Sequence, residues 1–413
     1  MDVIHSRCAG IDVHKAFLVA CCIYAGPTGA QCVDIQRFST MTSGILQLSD
    51  WLLERGITHA AIESTGDYWK PVYNILEGSV DIWVVNAYHV KNVPGRKTDV
   101  KDATWLCELM RHGLLRKSFI PDPVQRDFRE ITRLRVTLVR ERSSLCNRLH
   151  KALESCNIKL GAVASDLTGQ SSRIMLKELI KNPSATPQSV ADLALGKLRS
   201  KHDQLVEALQ GRINNNHRFV LDQLLEHITE LDRRIEAFDK RIEEMNAPFK
   251  EAVALLDTIP GIAETAANAI IAEIGTDMTR FRTPGHLASW AGLCPGNNES
   301  GGKKFSGRIR KGNSTLRAAL VQAAHVACRM RGTQFYAMTC RISSRRGKKR
   351  AVIAVAHAML VIIHTVLSTG KPYEEPGENY VKPRDPARLL QRAERLAKRL
   401  GFRLIELEAA PAA

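Results

Sequence analysis

One segment in the last third of the chain carries residue types that could attack a phosphodiester. Residues 292–317 are crowded with Gly, Asn, Ser, Lys and Arg, and Ser300 stands directly before two glycines and two lysines, Gly301–Lys304. A nucleophilic hydroxyl needs room for an in-line approach, and the charge that develops on the phosphate needs cations around it. Glycine- and serine-rich segments are usually only loops, so this pattern predicts a serine nucleophile only together with other signals.

Four carboxylates in the N-terminal region supply a second signal. Asp12 lies inside an apolar stretch, Glu63 ends another, and Asp99 and Asp102 stand three apart on one predicted helix, so they project from the same helix face. Carboxylates in such places cost desolvation unless a partner compensates, and a divalent cation is the usual partner. The pattern favours a Mg²⁺ or Mn²⁺ site that handles phosphate. Each acid alone also suits a turn, a strand end or a helix N-terminus.

Strands and helices are predicted to alternate around these acids. Apolar runs within residues 8–40 predict an antiparallel meander with a tight turn near His14, followed by a helix that Ser43 would cap. The remaining order is strand 59–65, helix 68–76, strand 81–87 and helix 99–115. Three strands followed by alternating helix and strand is the order of the ribonuclease H-like fold, an α/β architecture.

The middle of the chain changes to a helical pattern. Pro121 and Pro123 mark a boundary, and apolar residues recur at helical spacing from Val124 onward. A near-heptad apolar stripe along 219–245 predicts either a helical hairpin within the chain or a coiled coil between subunits, and residues 164–200 predict an inserted helical elaboration. Seven arginines cover much of the remaining surface of the first helix: Arg126, Arg129, Arg133, Arg135, Arg140, Arg142 and Arg148.

Further helices are predicted towards the C-terminus. Residues 255–275 place Pro260 and Gly261 between two apolar helical stretches. This is typical of a helix-hairpin-helix, whose turn can hold a phosphate, and also of a plain packing hairpin. Ser314 is predicted to cap the helix that follows it. Residues 350–368 predict a core helix, and the tail ends in a basic helix.

Positive charge is concentrated in one part of the chain. The net charge is +16, and 14 Lys and Arg but no Asp or Glu lie between Gly301 and Arg350. Such a field suits a polyanion, so nucleic acid is the predicted partner, whereas no anchor or lipidation motif supports a membrane surface. The predicted contacts are Lys303, Lys304, Arg308, Arg310, Lys311, Arg317, Arg345, Arg346, Lys348, Lys349 and Arg350.

The compartment is predicted from what the sequence lacks. The N-terminus has no apolar signal-peptide core, and no apolar run long enough to cross a bilayer is expected. None of the ten cysteines forms a CxxC pair, which argues against zinc and against a disulfide framework. A bacterial cytoplasmic protein is therefore expected.

Ordered motifs give the chain a family resemblance. GIDVHK, AIESTGDYW and GRKTDVKDATWL resemble the DEDD motifs of the RuvC-like domain in the IS-one-ten (IS110) family of insertion-sequence transposases. The branch of that family with longer C-terminal regions is the IS-eleven-eleven group. Between Ile259 and Arg317 the segments IPGI, ASWAGLCP, SGGK and RKGNSTLR are similar to the family's second domain, in the same order. The resemblance covers residues 8–370.

This resemblance implies a set of roles and partners. Asp12, Glu63, Asp99 and Asp102 correspond to the metal-binding acids, and Ser300 corresponds to the catalytic serine. Family members often have a second serine before it, where this chain has Glu299. The resemblance further implies a homotetramer, which favours the coiled coil between subunits over the hairpin for residues 219–245. It also implies DNA as donor and target, and a structured guide RNA that base-pairs with both. The arginine-rich helical region is where that RNA is predicted to bind.

The expected protein is a DNA transposase that excises and site-specifically inserts its own insertion sequence. Two alternatives stay open: a Holliday-junction-type, metal-dependent endonuclease without a covalent intermediate, and a non-catalytic DNA-binding protein. The expected division is a RuvC-like nuclease domain at 1–118, a helical coiled-coil region at 119–250, a serine transposase domain with a helix-hairpin-helix at 251–370, and a tail with a basic helix at 371–413.

Overall fold

The structure is a computed structural model that describes residues 2–26, 29–64, 66–86, 101–295, 298–306, 309, 311–377 and 386–405. For residues 101, 298–300, 304–306, 386–389 and 392 the description is of the backbone alone. The chain divides into two compact units, Met1–Asp122 and Pro123–Ala413.

The first unit is built on a mixed five-stranded sheet. Its strands are β1 (Cys8–Val13), β2 (Phe17–Ala25), β3 (Gln31–Ser39), β4 (His59–Glu63) and β5 (Asp81–Val85). Their order across the sheet is β3-β2-β1-β4-β5. The first three strands pair antiparallel, while β1–β4 and β4–β5 pair parallel. The predicted meander followed by alternating elements is therefore confirmed.

Helices cover both faces of this sheet. They are α1 (Thr42–Glu54), α2 (Trp69–Leu76) and α3 (Lys101–Arg111). Because successive strand residues point to opposite faces, Ala9 and Ile11 enter a core with Leu48 of α1. Cys8 points the other way, into a core with Leu106 of α3. The central strand β1 is thus buried from both sides.

The start of α1 differs from the sequence prediction. Met41 is the N-cap and makes no side-chain capping hydrogen bond, while Ser43 lies inside the first turn. The helix begins directly after β3 because the chain folds tightly there. A Cβ added to Gly44 would lie 2.4 Å from the Ser39 carbonyl oxygen. The predicted Ser43 cap is therefore wrong.

The described part of the second unit is helical apart from one hairpin. Its main helices are α4 (Pro123–Ser155), α5 (Leu160–Val163), α6 (Gln170–Lys181), α7 (Pro187–Ala191), α8 (His202–Ala208), α9 (Asn215–Met245), α10 (Lys250–Asp257), α11 (Glu264–Ile274) and α12 (Pro284–Trp290). After these come strands β6 (Asn298–Ser300) and β7 (Lys303–Ser306), then α13 (Ser314–Ala327), α14 (Gln334–Arg346), α15 (Lys348–Thr369) and α16 (Pro386–Arg399).

The long helices α4 and α9 pack along each other within one chain. Leu221, Leu225 and Ile228 of α9 share a buried core with Leu145 and Leu149 of α4, and the helices of residues 160–208 complete that core. The apolar stripe of α9 therefore forms a helical hairpin within the chain, and the expectation that this stripe forms a coiled coil between subunits is wrong. A coiled coil between subunits would have to use other faces and stays a prediction.

Helix α15 is the apolar helix predicted at 350–368. Its buried residues include Val355, Met359 and Ile363, so it is a core helix, as predicted. By length and composition alone it is the one helix among the described residues that could cross a membrane. That corrects the expectation that no apolar segment is long enough.

Candidate active site

Asp12 and Glu63 lie at the same edge of the central sheet. Parallel pairing places Ile11 opposite Ile62, and Asp12 and Glu63 are the next residues along the two strands. Adjacent strands run about 4.8 Å apart, and paired residues of a parallel ladder point to the same face. The two half-buried carboxylates therefore lie side by side at the carboxyl ends of β1 and β4.

Helix α3 brings a third acid to this edge. The Sγ atoms of Cys8 and Cys107 are 3.8 Å apart, whereas a Cβ added to Gly10 would lie 2.1 Å from the Ala103 carbonyl oxygen. Helix α3 therefore runs in the opposite direction to β1. The Asp12 end of the strand lies towards the first turn of the helix, which holds Asp102. Asp99 lies outside the described residues.

Gly10 is required for this close approach of α3. A methyl group at that position would collide with two backbone atoms of the helix, Ala103 O at 2.1 Å and Cys107 N at 2.4 Å. We expect Gly10→Ala to lower the free energy of unfolding by about 1–3 kcal/mol, the usual cost of overpacking. DNA cleavage should fall as well, because Asp102 is displaced.

Urea denaturation of the full chain measures the stability change. The matched control is Gly285→Ala, since a Cβ there meets only Thr283 Oγ1 at an ordinary 3.6 Å. Equal stability and activity for Gly10→Ala and the control would contradict the proposed docking of α3.

His14 is a residue of this site that sequence analysis assigned only to a turn. Its Nε2 lies 3.2 Å from Asp12 Oδ2, with the side chains 47% and 20% exposed. Two residues apart on an extended chain, the two side chains share a face. That spacing was the available signal. An imidazole in this position helps to orient the Asp12 carboxylate.

The donor set at this edge suits a hard cation. Carboxylate oxygens are the ligands that Mg²⁺ and Mn²⁺ prefer, and Asp12, Glu63 and Asp102 come from three separate elements. Among the residues that the structure describes, no three metal-binding side chains already form a cluster. The described acids thus fit the chemistry of a divalent ion without forming a complete coordination shell.

Ser300 ends the first strand of the β6–β7 hairpin in the second unit. Its Cα is paired with that of Lys303, and Gly301 and Gly302 form the turn with φ of 56° and 74°. A two-residue turn with positive φ at both positions strongly favours glycine. Among the atoms that the structure describes, a Cβ at either glycine would meet none within 4 Å.

The prediction that Ser314 caps α13 is wrong by one residue. Asn313 is the N-cap of α13, and its side chain accepts hydrogen bonds from Thr315 N at 3.1 Å and Leu316 N at 3.0 Å. Ser314, predicted to be the cap, is instead the first residue of the helix. Asparagine is as good a cap as serine, and the sequence pattern did not separate the two neighbours.

Five exposed cations flank Gly347 and form the basic corner of the second unit. Gly347, with φ 82°, separates α14 from α15. Within the described residues none of the five makes an ion pair with an acid. The basic corner consists of Arg345, Arg346, Lys348, Lys349 and Arg350. Of the other predicted contacts, Lys303 and Lys311 are exposed and Arg317 is half-buried. For Lys304 only the backbone is described, and Arg308 and Arg310 lie outside the described residues.

Four of the seven α4 arginines contact carboxylates of other helices, Arg129, Arg133, Arg135 and Arg142. Arg133 Nε and Nη2 donate to the two carboxylate oxygens of Glu273 at 2.6 and 2.8 Å. Arg135 pairs with Asp239, and Arg142 pairs with Asp232. These cations are neutralised by acids on other helices, so α4 offers much less free positive charge than its sequence suggested.

Glu273 is the centre of a buried polar network that sequence analysis missed. It is 1% exposed, and it also accepts a hydrogen bond from Asn313 Nδ2 at 2.6 Å. Arg129 lies alongside, and burial lowers the pKa of that guanidinium to about 10 although Glu273 favours its charged form. The network links α4, α11 and the cap of α13, and that cap lies seven residues after the end of the β6–β7 hairpin.

We expect Glu273→Gln to lower the free energy of unfolding by about 3 kcal/mol, because it leaves buried arginine charge uncompensated. Urea unfolding of the full chain measures this. Glu236→Gln, which breaks the exposed 3.0 Å pair with Lys240, is the control and should stay within about 0.5 kcal/mol. Equal effects from both variants would contradict a structural role for the network.

Comparison with known proteins defines the class of this chain. Residues 9–158 match a family model described as a transposase, the DEDD transposase domain of IS110. Residues 253–339 match a second model, described as the transposase IS116/IS110/IS902 family. The first match holds the acids and the second holds Ser300. Both place the protein among the transposases.

Curated relatives agree with this class. A probable family 20 transposase of Pseudomonas aeruginosa is 27% identical, over 68% of this chain and 75% of the relative. A pilin gene-inverting protein of Moraxella bovis is 25% identical, over 89% of this chain and 97% of the relative. A mini-circle putative transposase for IS117 from Streptomyces coelicolor is 26% identical, over 70% and 77%. The chain belongs to the IS116/IS110/IS902 family of transposases and is an enzyme that acts on DNA.

Proposed function

We propose that this transposase cleaves and transfers DNA strands through a covalent bond to Ser300, to move its own insertion sequence. The observation that carries this proposal is the placement of Asp12 and Glu63 at neighbouring strand ends, on the side of the sheet where α3, whose first turn holds Asp102, packs against β1. With Asp99, these acids would hold Mg²⁺ or Mn²⁺. Such an ion, when bound, would polarise the scissile phosphate and offset its charge.

The proposed reaction conserves the energy of the phosphodiester. The Ser300 hydroxyl forms a bond to phosphorus and gives up its proton, and the bond from phosphorus to the 3′ oxygen breaks to leave a 3′-hydroxyl. A 3′-hydroxyl from the partner strand then attacks the phosphoseryl bond and frees the serine. Bonds formed and broken balance in each step, so no nucleotide hydrolysis is needed. The acids and the serine belong to different compact units, so the reaction requires them to meet within one chain or between subunits.

The proposal includes two finer fold assignments, a RuvC-like domain and a helix-hairpin-helix. The strand order and the acids at the strand ends suit a ribonuclease H-like, RuvC-like domain. Helices α10 and α11, joined at Pro260 and Gly261, have the form of a helix-hairpin-helix. A Cβ on Gly261 would lie 2.6 Å from Ala323 O, so the turn packs against α13 and has a structural task as well. The four-part division of the chain remains part of the proposal.

The proposed partners are donor and target DNA, a structured guide RNA and further copies of the chain in a homotetramer. The relative from Moraxella bovis is named for inverting a pilin gene, and this name supports DNA as the substrate. Because four of the seven α4 arginines contact acids, the basic corner is the better place for contact with the nucleic-acid backbone.

Covalent capture of labelled DNA separates this function from the alternatives. With Mg²⁺ present, we expect the DNA label to migrate with the denatured protein. A junction-type endonuclease would cut DNA without an adduct, and a non-catalytic binding protein would do neither. Either of these outcomes would overturn the proposed serine chemistry.

Neutralising the basic corner should weaken DNA binding and flatten its dependence on salt. Each phosphate contact releases counterions and adds about 0.9 to the slope of log affinity against log salt. Replacing all five cations by Gln should therefore lower that slope by about 4 to 5 if each contacts one phosphate. Fluorescence anisotropy with labelled duplex DNA at several salt concentrations measures it.

The matched control removes cations that already have partners. Arg233, Arg234, Lys240 and Arg241 of α9 are paired with acids on the same helix, so replacing them by Gln should change the slope by less than about 1. An equal change in both variants would mean that the basic corner is not the contact.

A further inference from the structure

A groove of about 630 Å³ opens in the second unit between the α4–α9 hairpin, the start of α11 and one face of α13. Small and branched apolar side chains line it, among them Val136, Ile242, Ala269 and Ala319. Val326, also in the lining, is 54% exposed. Alanines along two helices leave room for a third helix to approach their backbones closely.

The groove contains an unsatisfied buried acceptor. Asn268 lines it and is 6% exposed, yet its Oδ1 has no hydrogen-bond partner among the described residues. Leaving a buried amide oxygen unpaired costs about 1–3 kcal/mol. An occupant that carries hydrogen-bond donors would relieve this cost.

The charges around the groove favour a cationic occupant. Asp239 pairs with Arg135, and Glu236 pairs with Lys240. These pairs leave two exposed acids, Glu243 and Glu264, against a single cation, Arg140. An apolar groove with one more acid than cations at its rim suits a basic amphipathic helix better than a nucleic-acid strand.

The tail helix α16 has these properties. Its sequence carries five cations and one acid, and Leu390, Leu396 and Leu400 are 58%, 56% and 67% exposed. At 100° per residue these leucines lie on one face together with Ala393 and Ala397. The described residues of α16 thus present an apolar face that nothing in the described chain covers.

The segment before α16 is anchored beside the groove. Tyr373 N donates to Thr258 Oγ1 at 2.9 Å, and Glu375 Oε1 accepts from Gln334 N at 2.9 Å. Thr258 is three residues before Gly261, which lines the groove. Pro386 follows Gly377 by nine residues, which extended chain can stretch over about 30 Å. The tail can therefore reach its own groove.

We propose that α16 docks in this groove of its own chain, with its leucine face on the alanines of α11 and α13. Its basic residues then face Glu243 and Glu264, and a side-chain donor reaches Asn268 Oδ1. This intramolecular dock makes the C-terminal tail part of the folded transposase domain.

Hydrogen exchange of the full chain tests the dock. An isolated helix of this length is marginal in water, so an undocked α16 exchanges at nearly the rate of unfolded chain. We expect its amides to exchange about tenfold more slowly or better. That protection should vanish in Ala319→Glu, which fills the groove, and in Leu396→Asp, whose exposed position cannot unfold the rest of the protein.

The matched control is Ala237→Glu, an exposed alanine of α9 outside the groove, which should leave the protection of α16 unchanged. Lack of protection in the wild-type chain would overturn the proposal, as would protection that survives Ala319→Glu. Protection that rises with protein concentration would assign the groove to a second copy. Protection that needs added RNA or anionic vesicles would assign the helix to those partners.

Discussion

Ser300→Ala is expected to abolish the covalent protein–DNA adduct and recombination together. Removing a covalent nucleophile costs on the order of 10⁶ in rate, which is beyond detection in a strand-transfer assay. In the proposed reaction, the glycine turn next to Ser300 and the neighbouring Lys303 would supply space and positive charge for the phosphate. Denaturing gel electrophoresis of labelled DNA with Mg²⁺, and peptide mapping of the trapped complex, measure the result.

Two other serines provide controls within the same stretch. Ser306 lies in β7, and Ser314 is the exposed first residue of α13, whose cap is Asn313. Alanine at either position should leave the adduct detectable. If the DNA mapped to Ser306 or Ser314, Ser300 would not be the nucleophile. If Ser300→Ala still recombined DNA, the serine mechanism would be wrong.

Asp12→Asn and Asp102→Asn should each lower DNA cleavage by about 1,000-fold or more, which is about 4 kcal/mol of transition-state stabilisation. Asparagine keeps the shape but loses the charge that would hold a divalent cation. DNA affinity should stay within about twofold, because the basic corner is untouched. Asp50→Asn, an exposed carboxylate of α1 in the same unit, is the control and should cleave normally.

A second measurement separates metal binding from general damage to the site. Added Mn²⁺ should raise the thermal midpoint of the wild-type chain and of Asp50→Asn, because a ligand that binds only the folded state stabilises it. The rise should be absent in Asp12→Asn. Full cleavage by Asp12→Asn or Asp102→Asn, or an unchanged response to Mn²⁺, would remove these residues from the site.

The sequence predicted those features that depend on local pattern. Alternating apolar residues placed the strands of the first unit, and helical spacing placed α4, α9 and α15 close to their observed bounds. The helix starts were less predictable, since Ser43 and Ser314 are good caps by type but stand one or two residues inside their helices. Capping depends on where the preceding chain turns, which the type of one residue does not determine.

Contacts between distant residues were not predictable in this way. From the sequence alone, Arg133 is predicted to be an unpaired surface cation. In the structure it binds Glu273, which is 140 residues away. The sequence gives no sign that Gly10 differs from other strand residues. In the structure, α3 packs directly against its backbone. For the same reason the acids could be proposed as a set, but the pairing of β1 with β4 beside Asp12 and Glu63, and the packing of α3 against β1, became visible only in the structure.

The basic corner places three of its cations in an unfavourable position within the free protein. Lys348, Lys349 and Arg350 occupy the first turn of α15, which has no acid, where the exposed backbone amides already carry partial positive charge. Each such cation costs about 0.3–1 kcal/mol at low ionic strength. A bound phosphate removes that repulsion and also accepts hydrogen bonds from the helix end. Part of the affinity for a polyanion would then come from removing the repulsion between these cations and the helix N-terminus. The bound phosphate would act as the missing N-terminal cap of α15.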